Sequence, residues 1–336
     1  MQALRLLRAT AAATLIFGIP AAHAADADTC TNRGDLDKMY CDTNNDLVAD
    51  TPTDASQQKT PSTLVFTYTP VEDPAVYANI FKPFTEYLGE CTGKRVVFYQ
   101  VQSNAAEIEA MRSGRLHVGG FSTGPTAYAV NIAGAVPFAV KGYADGFQGY
   151  NLIVIVKKDS PYKNLVDLKG KKLAHTSPSS NSGHMAPVAL FPKEGLTPDK
   201  DYKIIFSGKH DQSVMGVNSG DYDAAAVASD VFGRMVERGQ VKEEDFRIIY
   251  RSEKFPTSSF SYSHDLEPAF RDKMLKCFYD YRFPEEMKKA FDNADRFYPV
   301  TYQKDWAIVR QVAEEGGERF NRDAYERETA KNKGKQ

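Results

Sequence analysis

Leu64-Val65-Phe66-Thr67-Tyr68 is a β-prone run that opens a regular alternation of predicted strands and helices. Apolar residues at helical spacing follow between Tyr77 and Leu88. Residues 95–101 then predict a second strand, residues 105–112 a second helix, and residues 116–121 a third strand. Because a helix connects each strand to the next, this order predicts a parallel α/β sheet.

A second α/β unit is predicted between residues 150 and 250. It begins with the strongly apolar strand Tyr150-Asn151-Leu152-Ile153-Val154-Ile155-Val156, and shorter strands are predicted at residues 203–206 and 224–228. After Phe255 the pattern changes and predicts helices alone, at residues 266–281, 285–291 and 306–320.

Composition narrows the class of protein. The 336 residues include 42 Lys and Arg against 44 Asp and Glu, a formal net charge of −2. A general nucleic-acid binder needs a basic surface, so that class is excluded. At roughly 150 residues per domain the length predicts two domains. No apolar run reaches the roughly 18 residues that a transmembrane helix needs.

Residues 1–24 have the pattern of a signal peptide. Arg5 and Arg8 precede the short apolar run from Ala11 to Ile19, and Ala22-His23-Ala24 has the small residues of a cleavage site. The alternative is a short N-terminal helix. The pattern predicts export of a free protein to a bacterial periplasm, where disulfides can form.

Four cysteines would remain after cleavage and allow three pairings. Cys30 and Cys41 share one short polar segment, so their pairing closes only a small loop, and it leaves Cys91 to pair with Cys277. The alternative is that Cys277 is an unpaired, buried helix residue.

Residues 25–61 predict an irregular polar lead-in, and residues 326–336 a charged, frayed tail. The lead-in spaces oxygen-bearing side chains as Ca²⁺ loops do, and resembles the acidic repeats of thrombospondin type 3. These side chains are Asp42, Asn44, Asp46, Asp50 and Asp54. It differs from an EF-hand in having Leu47 at the sharp-turn glycine position and Thr53 at the twelfth position. The alternative is a solvated acidic linker.

Ser177-Pro178-Ser179-Ser180-Asn181-Ser182-Gly183-His184 is the most informative polar run for function. It lies between a predicted strand and a helix. A helix start offers unpaired N–H groups, and hydroxyls there add donors, which together suit an anion. The alternative is ordinary helix capping. The run is not a phosphate P-loop, since no Gly-Lys-Ser/Thr follows it.

Together with other motifs, this run resembles the periplasmic phosphonate and phosphite binding proteins of ABC importers. The motifs are Asp159-Ser160-Pro161, Leu165 with Asp167-Leu168 and Gly170-Lys171, the serine run, Gly208-Lys209-His210-Asp211, and a Gly-x-x-Asp-Ala-Ala strand. The resemblance covers about residues 63–320. It implies a type II periplasmic binding fold, with ligand held between two α/β lobes.

The resemblance also implies ligand-binding residues, position by position. The family's Ser-Thr-Ser-Gly motif corresponds to Ser180-Asn181-Ser182-Gly183, with an amide in place of the middle hydroxyl. Its oxyanion-binding histidine corresponds to His210, and its carboxylate at the end of the next strand corresponds to Asp230. The family's loop after the third strand corresponds to Phe121-Ser122-Thr123, with Tyr128 close by. A pocket aromatic at the end of the first strand corresponds to Tyr68.

Ser258 bears on ligand specificity. Relatives that bind aminoalkyl phosphonates have an aspartate at the corresponding position, which pairs with the ammonium group of the ligand. The serine favours an oxyanion without an amino group, such as phosphite or methylphosphonate.

Asp230 and His210 suggest a physical basis for selectivity. A carboxylate accepts a hydrogen bond from a protonated oxyanion but repels sulfate, and a histidine can donate a hydrogen bond to an oxyanion oxygen. The alternative for each residue is a capping role at its helix.

We therefore predict lobe 1 from residues 62–147 and 254–325, and lobe 2 from residues 150–250. The expected function is the binding component of an ABC importer that takes up a phosphorus oxyanion, as a monomer with no cofactor except a possible structural Ca²⁺. A membrane permease and its ATPase would be the partners. The alternatives are a periplasmic sensor protein that signals to a receptor and, as a minor one, a serine hydrolase that uses Ser180 or Ser182 with His210 and Asp230.

Overall fold

The computed structural model describes residues 30–333, so the signal segment predicted at residues 1–24 lies outside the described part. Within these described residues, eleven strands form two sheets. In chain order the strands are β1 (Thr63–Tyr68), β2 (Arg95–Phe98), β3 (Val118–Phe121), β4 (Ala135–Gly142), β5 (Gly149–Lys157), β6 (Lys172–His175), β7 (Lys203–Phe206), β8 (Ala224–Ala228), β9 (Phe246–Pro256), β10 (Ser259–Ser263) and β11 (Arg296–Pro299).

Helices connect these strands and cover the sheets. They are α1 (Pro74–Ile80), α2 (Lys82–Thr92), α3 (Asn104–Arg112), α4 (Thr123–Ala133), α5 (Ala186–Leu190), α6 (His210–Ser219), α7 (Ser229–Glu237), α8 (Pro268–Asp280), α9 (Glu285–Ala290), α10 (Tyr302–Asp305), α11 (Ala307–Glu315) and α12 (Arg322–Lys333). Among the described helices, none has the length and apolarity needed to cross a membrane.

The first sheet has the strand order β11-β4-β10-β3-β1-β2 and the second the order β7-β6-β8-β5-β9. The predicted parallel pairing of the first three strands is confirmed, since β1 runs parallel to both β2 and β3. β10 lies antiparallel between β3 and β4. The chain leaves the first sheet after β4 and returns to it after β9, so each sheet with its helices forms one lobe.

The sequence patterns missed β4, β9, β10, β11 and α4, and the prediction of helices alone after Phe255 was wrong. β10 has the sequence Ser-Phe-Ser-Tyr-Ser, and its three serines are buried. The hydroxyl groups of Ser259 and Ser261 can be buried because they hydrogen-bond to each other at 2.9 Å. α4 is buried along its whole length, so it has no apolar stripe for a periodicity argument to find.

The core of the first lobe is rich in phenylalanine. Phe66 lies within 5.5 Å of Phe81 and Phe84 between ring centroids, and Phe84 packs edge-on against Phe278 at 4.7 Å. Such edge-to-face contacts add to the stabilisation from apolar burial. In the second lobe β8 consists almost wholly of buried alanines, which let helices pack close to the sheet.

Both predicted disulfides are present. Cys30 and Cys41 are bonded with their Cα atoms 5.5 Å apart, and Cys91 and Cys277 with theirs 6.0 Å apart. The second bond joins α2 to α8 across 186 residues of sequence. Linking residues so distant restricts the unfolded chain strongly, which stabilises the folded state.

The lead-in is not a loose linker, and ordered structure begins well before Ser62. The Tyr40 ring packs edge-on against His264 at 4.9 Å, and His264 Nδ1 lies 3.0 Å from the carbonyl oxygen of Asp50. Arg322 forms an ion pair with the buried Asp37. The segment from residue 30 to residue 61 is therefore a strap packed on the first lobe.

The acidic loop of this strap is folded around its own carboxylates. Asp42 accepts hydrogen bonds from the backbone N–H groups of Asp46 and Leu47, each at 3.0 Å. Leu47 has a φ of 68°, the left-handed conformation for which an EF-hand uses glycine. Within residues 30–333 no group of three or more His, Cys, Asp or Glu side chains is placed to hold a metal ion. The Ca²⁺ hypothesis stays a prediction.

Candidate ligand-binding cleft

A cleft of about 550 Å³, partly open to solvent, lies between the two lobes. Both lobes contribute polar side chains to its wall. Of the residues expected at the ligand, those that line the cleft are Tyr68, Ser122, Thr123, Ser180, Asn181, Ser182, His210, Asp230 and Ser258.

Five helical segments begin at this cleft. Asn104 starts α3, Thr123 starts α4, Asn181 starts a wide π-type turn ahead of α5, His210 starts α6, and Asp230 lies in the first turn of α7. Each helix start presents unpaired N–H groups and a partial positive charge. Their convergence makes the cleft favourable for an anion.

The serine run is shaped by one tight contact. The Gly183 N–H donates to Ser180 Oγ at 3.1 Å, so Ser180 caps the turn. Gly183 does not line the cleft, but its lack of a side chain is essential there, because a Cβ would lie 1.9 Å from Thr176 Oγ1. Asn181 Nδ2 donates to the Tyr150 hydroxyl at 3.1 Å.

Three side-chain oxygens in the cleft wall are buried without a hydrogen-bond partner. They are Thr176 Oγ1, Asn181 Oδ1 and Thr257 Oγ1. An unpaired buried polar atom is costly, so such atoms are rare in a finished core. Hydroxyl groups on Thr176 and Thr257 can donate to an anion, and the Asn181 oxygen can accept from a protonated ligand oxygen.

His210 is held as a neutral donor. Its Nδ1 accepts a hydrogen bond from the Ala228 N–H at 3.2 Å, which places the ring proton on Nε2. Burial lowers the pKa of His210 to about 4, and the nearby Arg234 adds to this effect while Asp230 opposes it. The ring therefore offers Nε2–H to a ligand without adding a charge.

Asp230 is ionised and already paired. Its Oδ2 accepts from Arg234 at 2.8 Å. Burial alone would raise the pKa of Asp230, but the Arg234 guanidinium outweighs burial and, with Lys141, holds that pKa below its usual value. The carboxylate thus remains an acceptor for a protonated ligand oxygen, and it is not a free negative charge.

Arg234 also joins the two lobes. Its Nε donates to Glu72 Oε1 at 3.0 Å, and Arg238 donates to Glu72 Oε2 at 2.5 Å. Burial raises the pKa of Glu72, yet the two guanidinium groups outweigh burial and keep this pKa below its usual value. Glu72 follows β1 in the first lobe, whereas Arg234 lies on α7 and Arg238 directly after it in the second lobe. We call Glu72, Arg234 and Arg238 the inter-lobe latch.

Besides Gly183, two residues expected at the ligand do not line the cleft. Phe121 is fully buried at the end of β3, and Tyr128 packs edge-on against Phe320 at 5.0 Å inside the first lobe. For Tyr128 the reason is its position on α4: with Thr123 at the cleft, Tyr128 lies on another side of the helix and faces the core. Neither aromatic lines the cleft.

Other cleft residues carry no signal in the sequence that sets them apart. The polar ones are Asn104, Tyr150, Thr176, Ser177, Lys209, Thr257 and Arg234. Ser177 begins the serine run and Thr176 precedes it, so both could have been included among the expected ligand residues. Arg234 follows Asp230 by one helical turn, a spacing typical of an ordinary surface ion pair.

The residues of the possible hydrolase triad do not form one. Within the described residues no hydrogen bond joins Ser180 or Ser182 to His210, and Asp230 is bound to Arg234. A serine nucleophile needs a base within hydrogen-bond reach, with that base oriented by a third group. The geometry lacks both links.

The overall architecture and this cleft are those of a type II periplasmic binding protein. A family profile described as the periplasmic substrate-binding protein of a phosphonate ABC transporter matches residues 66–306. The match covers well over half of the chain, and the protein belongs to this family.

Three similar proteins are consistent with that membership. The phosphate-import protein PhnD of Mycolicibacterium smegmatis is 28% identical over 278 residues, which cover 78% of this chain and 85% of the relative. The phosphonates-binding periplasmic protein of Escherichia coli is 26% identical, over 69% and 70% of the two chains. The structure of PhnD1 from Prochlorococcus marinus with methylphosphonate matches with a TM-score of 0.69 and 19% identity, over 77% of this chain and 100% of the other. At that identity the structural match shows the fold alone.

Proposed function

We propose that this protein captures a small phosphorus oxyanion without a positively charged substituent, such as phosphite or methylphosphonate, in the periplasm. It then delivers this ligand, as a monomer, to an ABC permease in the inner membrane that is driven by its own ATPase. The observation that carries the proposal is the charge pattern of the cleft. Helix starts and hydroxyl, amide and imidazole donors converge there beside Lys209, and Asp230, the one acid that lines the described cleft, is paired with Arg234.

The charge pattern also argues for the kind of ligand. An ammonium group on the ligand needs a free carboxylate, and the position that would supply it is Ser258, which lines the cleft. Asp230 accepts a hydrogen bond from a protonated oxyanion and repels one that carries no proton, which disfavours sulfate. The relatives bear names that refer to phosphate and to phosphonates, so phosphate belongs in the test.

Export by the N-terminal segment and a role without catalysis are part of this proposal. The family supplies periplasmic substrate-binding proteins, which fits a cleaved signal peptide. Secretion of the full chain and N-terminal sequencing of the product would show a start at residue 25. Turnover of a phosphonate ester that disappears in Ser182→Ala would instead support the hydrolase.

The ligand is tested by titration calorimetry on residues 25–336. The panel is phosphite, methylphosphonate, 2-aminoethylphosphonate, phosphate, sulfate and arsenite. We expect phosphite or methylphosphonate to bind tightly, and 2-aminoethylphosphonate and sulfate at least about tenfold more weakly, the cost of one lost hydrogen bond to a charged group. A preference for the amino compound would contradict the role given to Ser258, and absence of binding to every phosphorus compound would overturn the proposal.

A further inference from the structure

Lys141 is a buried cation without a carboxylate partner. It lies in β4 with a side chain 1% exposed, in the run Phe138-Ala139-Val140-Lys141-Gly142. Within the described residues, no carboxylate forms an ion pair with it. Its Nζ donates to the Tyr68 hydroxyl at 2.5 Å and sits 5.1 Å from the Tyr68 ring centroid and 4.8 Å from that of Phe291. Burying a charge in this way is costly unless another charge offsets it.

Asp230 is close enough for Lys141 to lower its pKa, but the ion pair of Asp230 is with Arg234. Glu72 and Asp230 carry two negative charges, and Arg234 and Arg238, which hydrogen-bond to them, carry two positive charges. These four groups balance one another, and the ammonium of Lys141 is left in excess. The protein without ligand therefore keeps one buried positive charge behind the wall of its cleft.

Tyr68 connects this charge to the ligand. Tyr68 lines the cleft, and its hydroxyl oxygen accepts from Lys141. An oxygen that accepts from an ammonium has its own proton free to donate elsewhere, and the ammonium makes that proton a stronger donor. A ligand in the cleft is one acceptor for this proton.

We propose that Lys141 is a positioning residue for the bound anion: its ammonium orients and polarises the Tyr68 hydroxyl, and the anion is the counter-charge that the ammonium lacks. This rests on the proposed function, because it requires an anionic ligand. It adds a buried charge behind a wall whose charged side chains are Asp230, Arg234 and Lys209. The proposed role also predicts that Lys141 increases the affinity for the ligand but does not stabilise the protein without ligand.

The test compares Lys141→Met, which keeps the length of the side chain and removes the charge, with the parent protein. Methylphosphonate, or whichever anion of the panel binds the parent, serves as the probe. We expect the affinity to fall about 10- to 100-fold, the range for a hydrogen bond to a charged group. The melting temperature without ligand is expected to stay the same or rise, since an uncompensated buried charge is gone.

Tyr68→Phe tests whether Lys141 acts on the ligand through the Tyr68 hydroxyl or directly through its charge. If Lys141 acts through the hydroxyl, Lys141→Met combined with Tyr68→Phe binds no more than about threefold more weakly than Lys141→Met alone. Lys209→Met is the matched control, because Lys209 also lines the cleft but makes no hydrogen bond to Tyr68. Lys209→Met should lose less affinity than Lys141→Met. When Lys209→Met is combined with Tyr68→Phe, the two fold-losses of affinity should multiply.

The outcomes distinguish this inference from the proposed function. Unchanged affinity in Lys141→Met, or a melting temperature several degrees lower than the parent's, or failure to fold, overturns the role of Lys141. Binding of a sulfonate in place of phosphorus compounds, with the Lys141 effect intact, overturns the phosphorus assignment and supports the inference. A parent protein that binds no anion at all overturns both.

Discussion

His210 illustrates how burial sets the chemistry of a single residue. The ring is 5% exposed, and its Nδ1 is occupied by the Ala228 N–H. Protonation would put a hydrogen on Nδ1, which would then face the hydrogen of the Ala228 N–H. The histidine is therefore a fixed, uncharged donor, and binding to it does not depend on its charge state at neutral pH.

This burial has a measurable effect on stability. The folded-state pKa of His210 is about 4, below its unfolded value near 6.5, so the unfolded chain takes up the proton first as the pH falls. Stability should decrease from about pH 6.5 down to about pH 4, by roughly 3 kcal/mol in all. Unfolding free energies of the parent and of His210→Asn, measured by urea at several pH values, should differ in slope over this window. Parallel curves would contradict the assignment.

Gly183 is the residue at which the smallest change should have the largest effect. Gly183→Ala adds a methyl group 1.9 Å from Thr176 Oγ1 and 2.8 Å from Ser180 Oγ. Both side chains line the cleft, so we expect at least a tenfold loss of affinity and a loss of about 1–3 kcal/mol of stability from overpacking. Gly146→Ala is the control, because nothing lies within 4 Å of the added Cβ there. Equal affinities in the two variants would contradict this prediction.

At the level of elements, the strap before β1 shows what a pattern of polar residues can conceal. A segment with few large apolar residues looks like a linker, but Leu36 and Tyr40 are buried against the first lobe. The Cys30–Cys41 disulfide lowers the conformational entropy that the segment loses on packing. A short segment can therefore be ordered with only a small apolar face.

The acidic loop of the strap provides an element-scale prediction. If Asp42, Asn44 and Asp46 hold Ca²⁺, EDTA should lower the melting temperature by several degrees, and added Ca²⁺ should restore it by mass action. Asp46→Ala should remove the response, whereas Asp35→Ala, an exposed carboxylate of the strap outside the acidic loop, serves as the control. A melting temperature that EDTA leaves unchanged would contradict the Ca²⁺ hypothesis.

For the whole molecule, the relation between the lobes decides the state of the cleft. Glu72 and Arg234 of the inter-lobe latch are buried, and the backbone N–H of His210 donates to the Val71 carbonyl across the same boundary at 3.3 Å. Gly124 provides the close approach, since a Cβ there would lie 2.3 Å from the carbonyl oxygen of Ser179 in the other lobe. These contacts exist only when the lobes are close together.

Glu72→Gln tests the latch. Removing the negative charge leaves Arg238 without its partner and weakens the hold of Arg234 on the first lobe. We expect the closed form to become less populated, with a roughly tenfold weaker ligand affinity and a larger radius of gyration in small-angle scattering without ligand. Glu237→Gln removes an exposed charge from the same helix and should change neither quantity. A closed, tightly binding Glu72→Gln protein would show that the latch is dispensable.

The sequence by itself determined the two α/β units and the family. It also predicted both disulfide pairs and the candidate site residues Ser180, Ser182, His210 and Asp230, which the structure brings to one cleft. These features depend on local periodicity and on short motifs at strand ends. Only the tertiary structure decided which side chains Lys141, Arg234 and Glu72 contact. Their partners lie far away in sequence: 73 residues separate Lys141 from Tyr68, and 162 separate Arg234 from Glu72. A charge has no identifiable role until folding brings its partner within hydrogen-bond distance and removes the water between them.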